Sequence, residues 1–182
     1  MYPYIRAIYM MLKGRSMHGL DVYGTHVSYH RAWPWDTDAF GELNNGRILT
    51  LFELARWQSG VRMGMMRKVI KGRIMFPIAG VSVRYRKRVP TWQRYRVQTR
   101  FLGFDERFVY ADQSMWQGET CMNQMLLRFA VKNRKGSIKP VEFLESLGFG
   151  TDKKTLPDWA QNWVDADATR PWPPTSGPVY DN

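Results

Sequence analysis

One long amphipathic helix followed by four strand-like segments restricts the fold more than any other feature of this sequence. Apolar residues recur at spacings of three and four from Arg47 to about Met66, the period of a helix with one buried face. Alternation of apolar and polar residues predicts strands at about 25–33, 78–88, 94–102, 107–116 and 121–132. This order predicts an α+β fold in which a curved antiparallel sheet wraps around one central helix.

Length and composition favour one domain with two flanking segments. With 182 residues and 44% apolar content, the chain is long enough for one well-buried core. We expect an N-terminal amphipathic segment at 1–20 and the main domain at 21–136. The remainder, 137–182, is rich in Trp and Pro, and we expect it to be an irregular extension packed on the domain or on a neighbouring subunit.

The N-terminal segment bears on the location of the protein. Its longest uninterrupted apolar run, 7–12, is too short to span a bilayer, and no small-residue cleavage pattern follows it. Residues 4–13 instead predict an apolar and basic helix that lies on the domain or on an anionic membrane surface. We therefore expect a cytoplasmic protein, with peripheral membrane contact as an alternative role for this helix.

A formal charge of +11 predicts attraction to polyanions. Alternation along two predicted strands places one serine and six arginines on the same face of the sheet: Ser82, Arg84, Arg86, Arg88, Arg94, Arg96 and Arg100. That face is either a solvated outer surface or a site for phosphate groups, such as those of coenzyme A. Nucleic acid is a weaker alternative because Tyr85 and Tyr95 alternate onto the opposite face. Cys121 is the only cysteine, and we expect no metal site.

The loop before the long helix is dense in turn and capping residues. It contains Asp36 and Asp38, each of which either acts on a substrate or stabilises the helix start. Asn44 or Asn45 is expected to cap the helix. Within the helix, Glu53 and Arg56 are spaced i,i+3, so they are expected to pair with each other.

This loop and helix resemble a known family. The stretch WDTDAFGELNNGRILTLFELAR, at positions 35–56, resembles the signature of the 4-hydroxybenzoyl-CoA thioesterase class of hotdog-fold proteins. The paired asparagines and the stretches VRYRKRV and RFLGFDERFVY are most similar to the subgroup of thioesterase-superfamily member 6 proteins. The resemblance covers about residues 25–135 and implies a hotdog-fold acyl-CoA thioesterase that needs no cofactor.

The resemblance implies that Asp38, the second aspartate of the Asp-x-Asp pair, is the catalytic carboxylate. Thioester hydrolysis needs a nucleophile or a base, together with donors for the oxyanion. At the start of a buried helix, the amides of Gly46 and Arg47 are expected to be unpaired donors. Asn45, where many bacterial members carry His, is expected to donate from its side chain or to position water.

The resemblance also implies a homodimer or tetramer with the site between subunits. The expected substrate-binding residues are Ile78, Ala79 and Gly80 from a neighbouring subunit, and Ser82, Arg84 and Arg86 of the arginine face. The substrate would be an acyl-CoA or an acyl-carrier thioester. One alternative is a non-catalytic hotdog protein that binds acyl chains or an anionic membrane surface. A hydratase of the same fold would normally need a histidine beside the aspartate.

Overall fold

A computed structural model describes residues 2–150, 155–175 and 177 of the chain. The strands are β1 (His26–Arg31), β2 (Ile78–Tyr85), β3 (Arg94–Phe104), β4 (Val109–Gln117), β5 (Thr120–Phe129), β6 (Val131–Asn133) and β7 (Gly136–Ile138). The helices are α1 (Tyr4–Arg15), α2 (Asn45–Arg62), α3 (Met65–Gly72), α4 (Pro140–Ser146) and α5 (Asp158–Ala168). Five strands form one antiparallel sheet in the order β1-β3-β4-β5-β2, so the predicted α+β class is confirmed.

The helix α2 lies at the centre because most of its circumference is apolar. Four of its side chains have no exposed surface and belong to the same core as the inner face of the sheet: Leu51, Phe52, Leu54 and Ala55. Burying each of the larger ones contributes roughly 1.5–3 kcal/mol. The helix ends at Arg62, earlier than predicted, because Gly64 adopts a left-handed conformation with a φ of 73°.

Two strands, β2 and β5, end three residues earlier than predicted. The strand β2 ends at Tyr85 because the amides of Arg86 and Lys87 both donate to the carbonyl of Met122, which breaks the regular ladder. The strand β5 ends at Phe129, and the chain then forms the small hairpin of β6 and β7. Of the five strands in the sheet, β1 and β2 are the two edges.

The C-terminal segment contains a helix where the sequence pattern predicts irregular structure. Ala160 of α5 is fully buried against the outer face of the sheet, in a cluster with Leu102, Tyr110 and Leu126. Trp163 packs against the same cluster and comes so close to Gly80 that a Cβ there would lie 3.3 Å from the indole ring. A Cβ at position 80 would therefore require the side chains of Trp163 and Arg128 to shift by a few tenths of an ångström.

The side chain of Arg128 attaches α5 to the sheet. Its guanidinium lies over Phe108 at 5.0 Å and over Trp163 at 5.4 Å, measured to the ring centroids. It also donates a hydrogen bond of 2.5 Å to Asp167 at the end of α5. Stacking and ion pairing of one arginine therefore fix the orientation of this helix.

The N-terminal helix α1 packs on α2 with one face and leaves another exposed. Ala7, Met10 and Gly14 form the buried face, and a Cβ on Gly14 would lie 3.1 Å from Gln58. On the opposite face Ile5 and Ile8 are 87% and 54% exposed. None of the described helices combines the length and apolar character needed to cross a bilayer.

Candidate active site

The loop between β1 and α2 folds back on itself like a short hairpin. The amide of Asp38 donates to the carbonyl of Glu42 at 2.9 Å, and the amide of Asn44 donates to the carbonyl of Asp36 at 3.1 Å. The hairpin is also bonded to a neighbouring segment, because the amide of Leu43 donates to the carbonyl of Val89 at 2.9 Å. This bond attaches the loop to the connection between β2 and β3. The attachment holds the part of the loop that contains Asp38 near the start of α2.

Asp36 is a buried structural carboxylate. Its side chain has no exposed surface and lies 2.8 Å from Arg6 of α1 and 3.3 Å from Arg47 of α2. The amide of Trp33 donates to the same carboxylate at 3.3 Å. Two guanidinium groups therefore compensate the cost of burying this charge, and Asp36 joins α1, the loop and α2.

Arg6 connects this ion pair to the inner face of the sheet. It donates to the carbonyl of Arg31 at 3.2 Å and lies 3.5 Å from both His30 Nδ1 and the Tyr95 hydroxyl. Burial, with the nearby Arg6 charge as a smaller cause, lowers the pKa of His30 to about 3. The His30 side chain near Asp36 is therefore neutral at neutral pH. Burial also raises the pKa of Tyr95.

Asp38 is only partly buried, in contrast to Asp36. One of its carboxylate oxygens, Oδ1, accepts a hydrogen bond of 2.9 Å from the amide of Phe40, which fixes the local turn. The other oxygen, Oδ2, accepts no hydrogen bond from the described residues. Asp38 thus has one oxygen that holds the loop and one that is available to a ligand or water.

The predicted donors at the start of α2 need a correction. Asn44 caps the helix, and its Oδ1 accepts from Gly46 at 2.9 Å and from Arg47 at 3.2 Å, so these two amides are not unpaired. The amide of Asn45 is the first-turn donor that has no acceptor among the described residues. Asn45 also accepts from the Tyr85 hydroxyl at 3.3 Å through its carbonyl, which joins the helix start to the end of β2.

Within one chain the structure does not bring the predicted substrate-binding residues to this loop. Ile78, Ala79 and Gly80 lie at the opposite end of β2 from Tyr85, about 17–23 Å away at 3.3 Å per residue. Ser82 and Arg84 point to the outer face of the sheet, where Ser82 is paired with Leu126 and Arg84 with Gln124. Arg86 follows the strand and is exposed.

Arg88 is the arginine that lies beside the loop, and the sequence pattern did not separate it from the others. Its guanidinium forms an ion pair with Glu42 and donates to the carbonyl of Phe40 at 3.2 Å. It therefore supports the backbone of the turn that positions Asp38. The sequence signal that could have identified Arg88 is the acidic residue Glu42 in the loop, which needs a basic partner from the arginine-rich segment 84–88.

A cavity of 150 Å³ lies between α2 and the sheet. It is lined mainly by apolar side chains, among them Met65, Met66, Phe76, Ile78, Phe101 and Phe129, with Glu53 and Arg56 at one side. Arg56 donates to Gln113 at 2.5 Å, and Glu53 accepts from Trp57, so the predicted pairing of Glu53 with Arg56 is replaced by these bonds. Burial lowers the pKa of Arg56 to about 10, which leaves it charged at neutral pH.

Comparison with solved structures defines the class of fold. The chain superposes on the probable thioesterase YbaW of Escherichia coli with a TM-score of 0.62 at 16% identity, covering 67% of this chain and 96% of that one. It superposes on a DHNA-CoA thioesterase of Staphylococcus aureus with a TM-score of 0.59 at 16% identity, covering 86% and 97%. A five-stranded antiparallel sheet around a central helix, shared with these proteins, is the hotdog fold.

Comparison of sequences identifies the family. Residues 32–164 match the model of the thioesterase-like superfamily, and the chain belongs to that superfamily. It is 26% identical to the protein THEM6 of Drosophila melanogaster over 174 residues, 90% of this chain and 84% of the fly protein. It is 27% identical to THEM6 of Xenopus laevis over 60% of this chain, and this match spans about half, 54%, of the frog protein.

The contrast between the two aspartates predicts opposite effects on stability. Asp36→Ala should lower the free energy of unfolding by about 3–5 kcal/mol, because it leaves Arg6 and Arg47 without their buried partner. Asp38→Asn keeps the oxygen that accepts from Phe40 and should change it by less than about 0.5 kcal/mol. Urea unfolding of both variants measures this, and equal losses would contradict the structural role of Asp36.

Proposed function

We propose that this protein hydrolyses acyl-CoA thioesters, with Asp38 as the catalytic carboxylate. The observation that carries the proposal is that one loop holds an available carboxylate oxygen and ends at an available backbone amide. Asp38 has a carboxylate oxygen without a protein partner, and the loop that holds it leads directly to the uncapped amide of Asn45. A base and an oxyanion donor are the two groups that thioester hydrolysis requires.

The reaction follows from these two groups. Asp38 takes a proton from a water molecule while the oxygen of that water attacks the thioester carbonyl carbon. The oxyanion that forms on the carbonyl accepts a hydrogen bond from the Asn45 amide, and the positive end of the α2 dipole favours it further. When the carbon–sulfur bond breaks, the protonated Asp38 returns the proton to the departing thiolate. The products are a free acid and a free thiol.

The site is completed by a second copy of the chain. The β2 edge strand has apolar side chains exposed on its inner face, with Val81 45% and Tyr85 43% exposed. Antiparallel pairing of two β2 strands about a two-fold axis at Val81 sets Val81 opposite its own copy and Gly80 of the partner subunit opposite Ser82, so the partner's Ile78 approaches the Tyr85 end of the strand. The pairing thereby brings residues 78–80 of the other chain near Asn45 and covers both edges.

The acyl group and the carrier have separate places in this proposal. The 150 Å³ cavity beneath α2 of the second copy is the candidate acyl pocket, because Ile78 lies at its wall and, within one chain, lies at the far end of β2 from Asn45. A cavity of that volume holds a molecule about the size of benzene. Coenzyme A is the proposed carrier because solved neighbours of the same fold include proteins described as gentisyl-coenzyme A and DHNA-CoA thioesterases. Arg84 and Arg86, exposed at β2, are candidates for its phosphates.

A second proposed role, peripheral binding to an anionic membrane from the cytoplasm, rests on α1. Its outer face carries Ile5, Ile8 and Leu12 at spacings of three and four, and each is more than half exposed. Lys13 and Arg15 follow in the last turn. An apolar row bordered by basic residues is the pattern of a helix that lies in the membrane interface.

Replacing the catalytic carboxylate should abolish hydrolysis and leave the fold intact. Asp38→Asn should reduce kcat/KM at least about 100-fold, measured as thiol released from a panel of aliphatic and aromatic acyl-CoA substrates. Glu145→Gln, which removes an exposed carboxylate on α4, is the matched control and should retain full activity. Wild-type protein that releases no thiol from any substrate, or an Asp38→Asn variant with full activity, would refute the proposal.

Disrupting the β2 edge should separate the subunits. Val81→Lys places two ammonium groups next to each other at the proposed two-fold axis, so light scattering should report a dimer or tetramer for the wild type and a monomer for the variant. Turnover should fall in parallel, since residues 78–80 of the second chain are removed from the site. A monomeric wild-type protein with full activity would contradict a shared site.

Membrane binding should depend on the outer face of α1. Wild-type protein should float with vesicles that contain anionic lipid and should be released as salt is raised. The triple variant Ile5→Gln, Ile8→Gln, Leu12→Gln should remain in the soluble fraction, because it lacks the apolar row that enters the membrane interface. It should stay folded, because these side chains are exposed and are not part of the core. Equal flotation of wild type and variant would assign membrane binding elsewhere.

A further inference from the structure

A groove of 1540 Å³ lies between α1 and the outer side of the β1 edge. One wall consists of α1 residues, including Tyr9 and Lys13, and the other consists of the adjoining ends of β1 and β3. The family match begins at residue 32, so the helix that forms one wall lies outside the matched region. The groove shares no lining residue with the cavity beneath α2 and is therefore separate from it.

Four of the cationic side chains that line the groove have no acidic partner among the described residues, in contrast to Arg6 and Arg47, which pair with Asp36. Arg31 and Arg94 are direct neighbours across β1 and β3, and Arg96 lies on the same face two residues further along β3. With Lys13, these form no ion pair with any described carboxylate, and no carboxylate lines the groove. Like charges directly opposite each other destabilise a sheet. An anion bound between them would offset that repulsion.

Aromatic side chains border the same cations. Trp33 and Trp35 are stacked with ring centroids 5.2 Å apart and planes 5° apart, and Trp35 is 65% exposed. Arg31 lies 5.9 Å from the Trp33 ring, and Arg96 lies over the ring of Trp116. An exposed indole beside several arginines is suited to a ligand that has both an aromatic base and phosphate groups.

The groove is continuous with the candidate active site. Trp35 and Arg47 line both the groove and a cleft of 430 Å³ over the start of α2. That cleft is also lined by Asn44, the residue that caps α2, and by Asp36. A long ligand can therefore lie with one end in the groove and the other near Asn45 and Asp38.

We propose that this groove, rather than Arg84 and Arg86 at the opposite edge of the sheet, binds the adenosine 3′,5′-bisphosphate end of the substrate's coenzyme A. Arg31, Arg94 and Arg96 bind its phosphates, and the exposed ring of Trp35 stacks on its adenine. The inference rests on the proposed thioesterase function for the identity of the ligand. It adds a carrier preference, because an acyl-carrier protein has no adenosine bisphosphate to place between these arginines.

Binding can be tested without catalysis, by titrating the wild-type protein with adenosine 3′,5′-bisphosphate and following tryptophan fluorescence and calorimetry. The double variant Arg31→Gln, Arg94→Gln should weaken binding at least about tenfold, since two charge-assisted contacts are lost. The matched control, Arg67→Gln with Lys68→Gln, removes the same charge from the exposed surface of α3 and should bind within twofold of wild type.

The kinetic arm compares two substrates with the same acyl group, one on coenzyme A and one on pantetheine. The Arg31→Gln, Arg94→Gln variant should show a KM raised at least about tenfold for acyl-CoA and an unchanged KM for acyl-pantetheine. Unchanged kcat values would show that the chemical step is intact. A KM raised equally for both substrates would overturn the groove as a nucleotide site.

The two arms separate this inference from the proposed function. Arginine-dependent binding of the bisphosphate without turnover of any thioester supports the groove and removes the hydrolase proposal. Hydrolysis of both substrates without bisphosphate binding does the reverse. Failure to bind the bisphosphate, combined with vesicle binding that is lost in the arginine variant, would overturn the groove in favour of lipid headgroups.

Discussion

A buried carboxylate between two arginines determines the shape of the candidate site. An ionised side chain without solvent contact is costly to bury, and the cost is compensated only when its partners are held close. Asp36 meets this condition because Arg6 approaches from α1 and Arg47 from α2. The loop between them is thereby fixed at its first residue, and the position of Asp38, two residues later, depends on that attachment.

The parts of the fold that repeat regularly were predictable from sequence. The period of α2 and the alternation in the strands reflect burial against one core, so they identified the elements and the class of fold. The helix α5 was missed although Leu156, Ala160 and Trp163 have the spacing of a helix. They lie among prolines and aspartates, and the surface that buries them comes from β3, β4 and β5, which no local pattern reveals.

The candidate site was predictable in part, because its chemistry is local and its pairing is not. The resemblance to a known family pointed to Asp38, and residue types restricted the helix cap to Asn44 or Asn45. Whether an amide is unpaired depends on which neighbouring side chain reaches it, and Asn44 takes the amides of Gly46 and Arg47. Arg56 likewise pairs with Gln113, 57 residues away, instead of with Glu53 one turn earlier. Side chains with several potential partners choose among them by tertiary geometry.

The contact between Arg6 and Asp36 also changes where this domain should be considered to begin. Similarity to the superfamily starts at residue 32, and by that measure α1 is an appendage. Electrostatically it is not, because one of the two counter-charges of a fully buried carboxylate lies 30 residues before it in the chain. The boundary drawn by sequence similarity cuts through an ion pair. In this protein the functional unit is therefore defined by charge balance, and α1 is as much a part of it as the strands that follow.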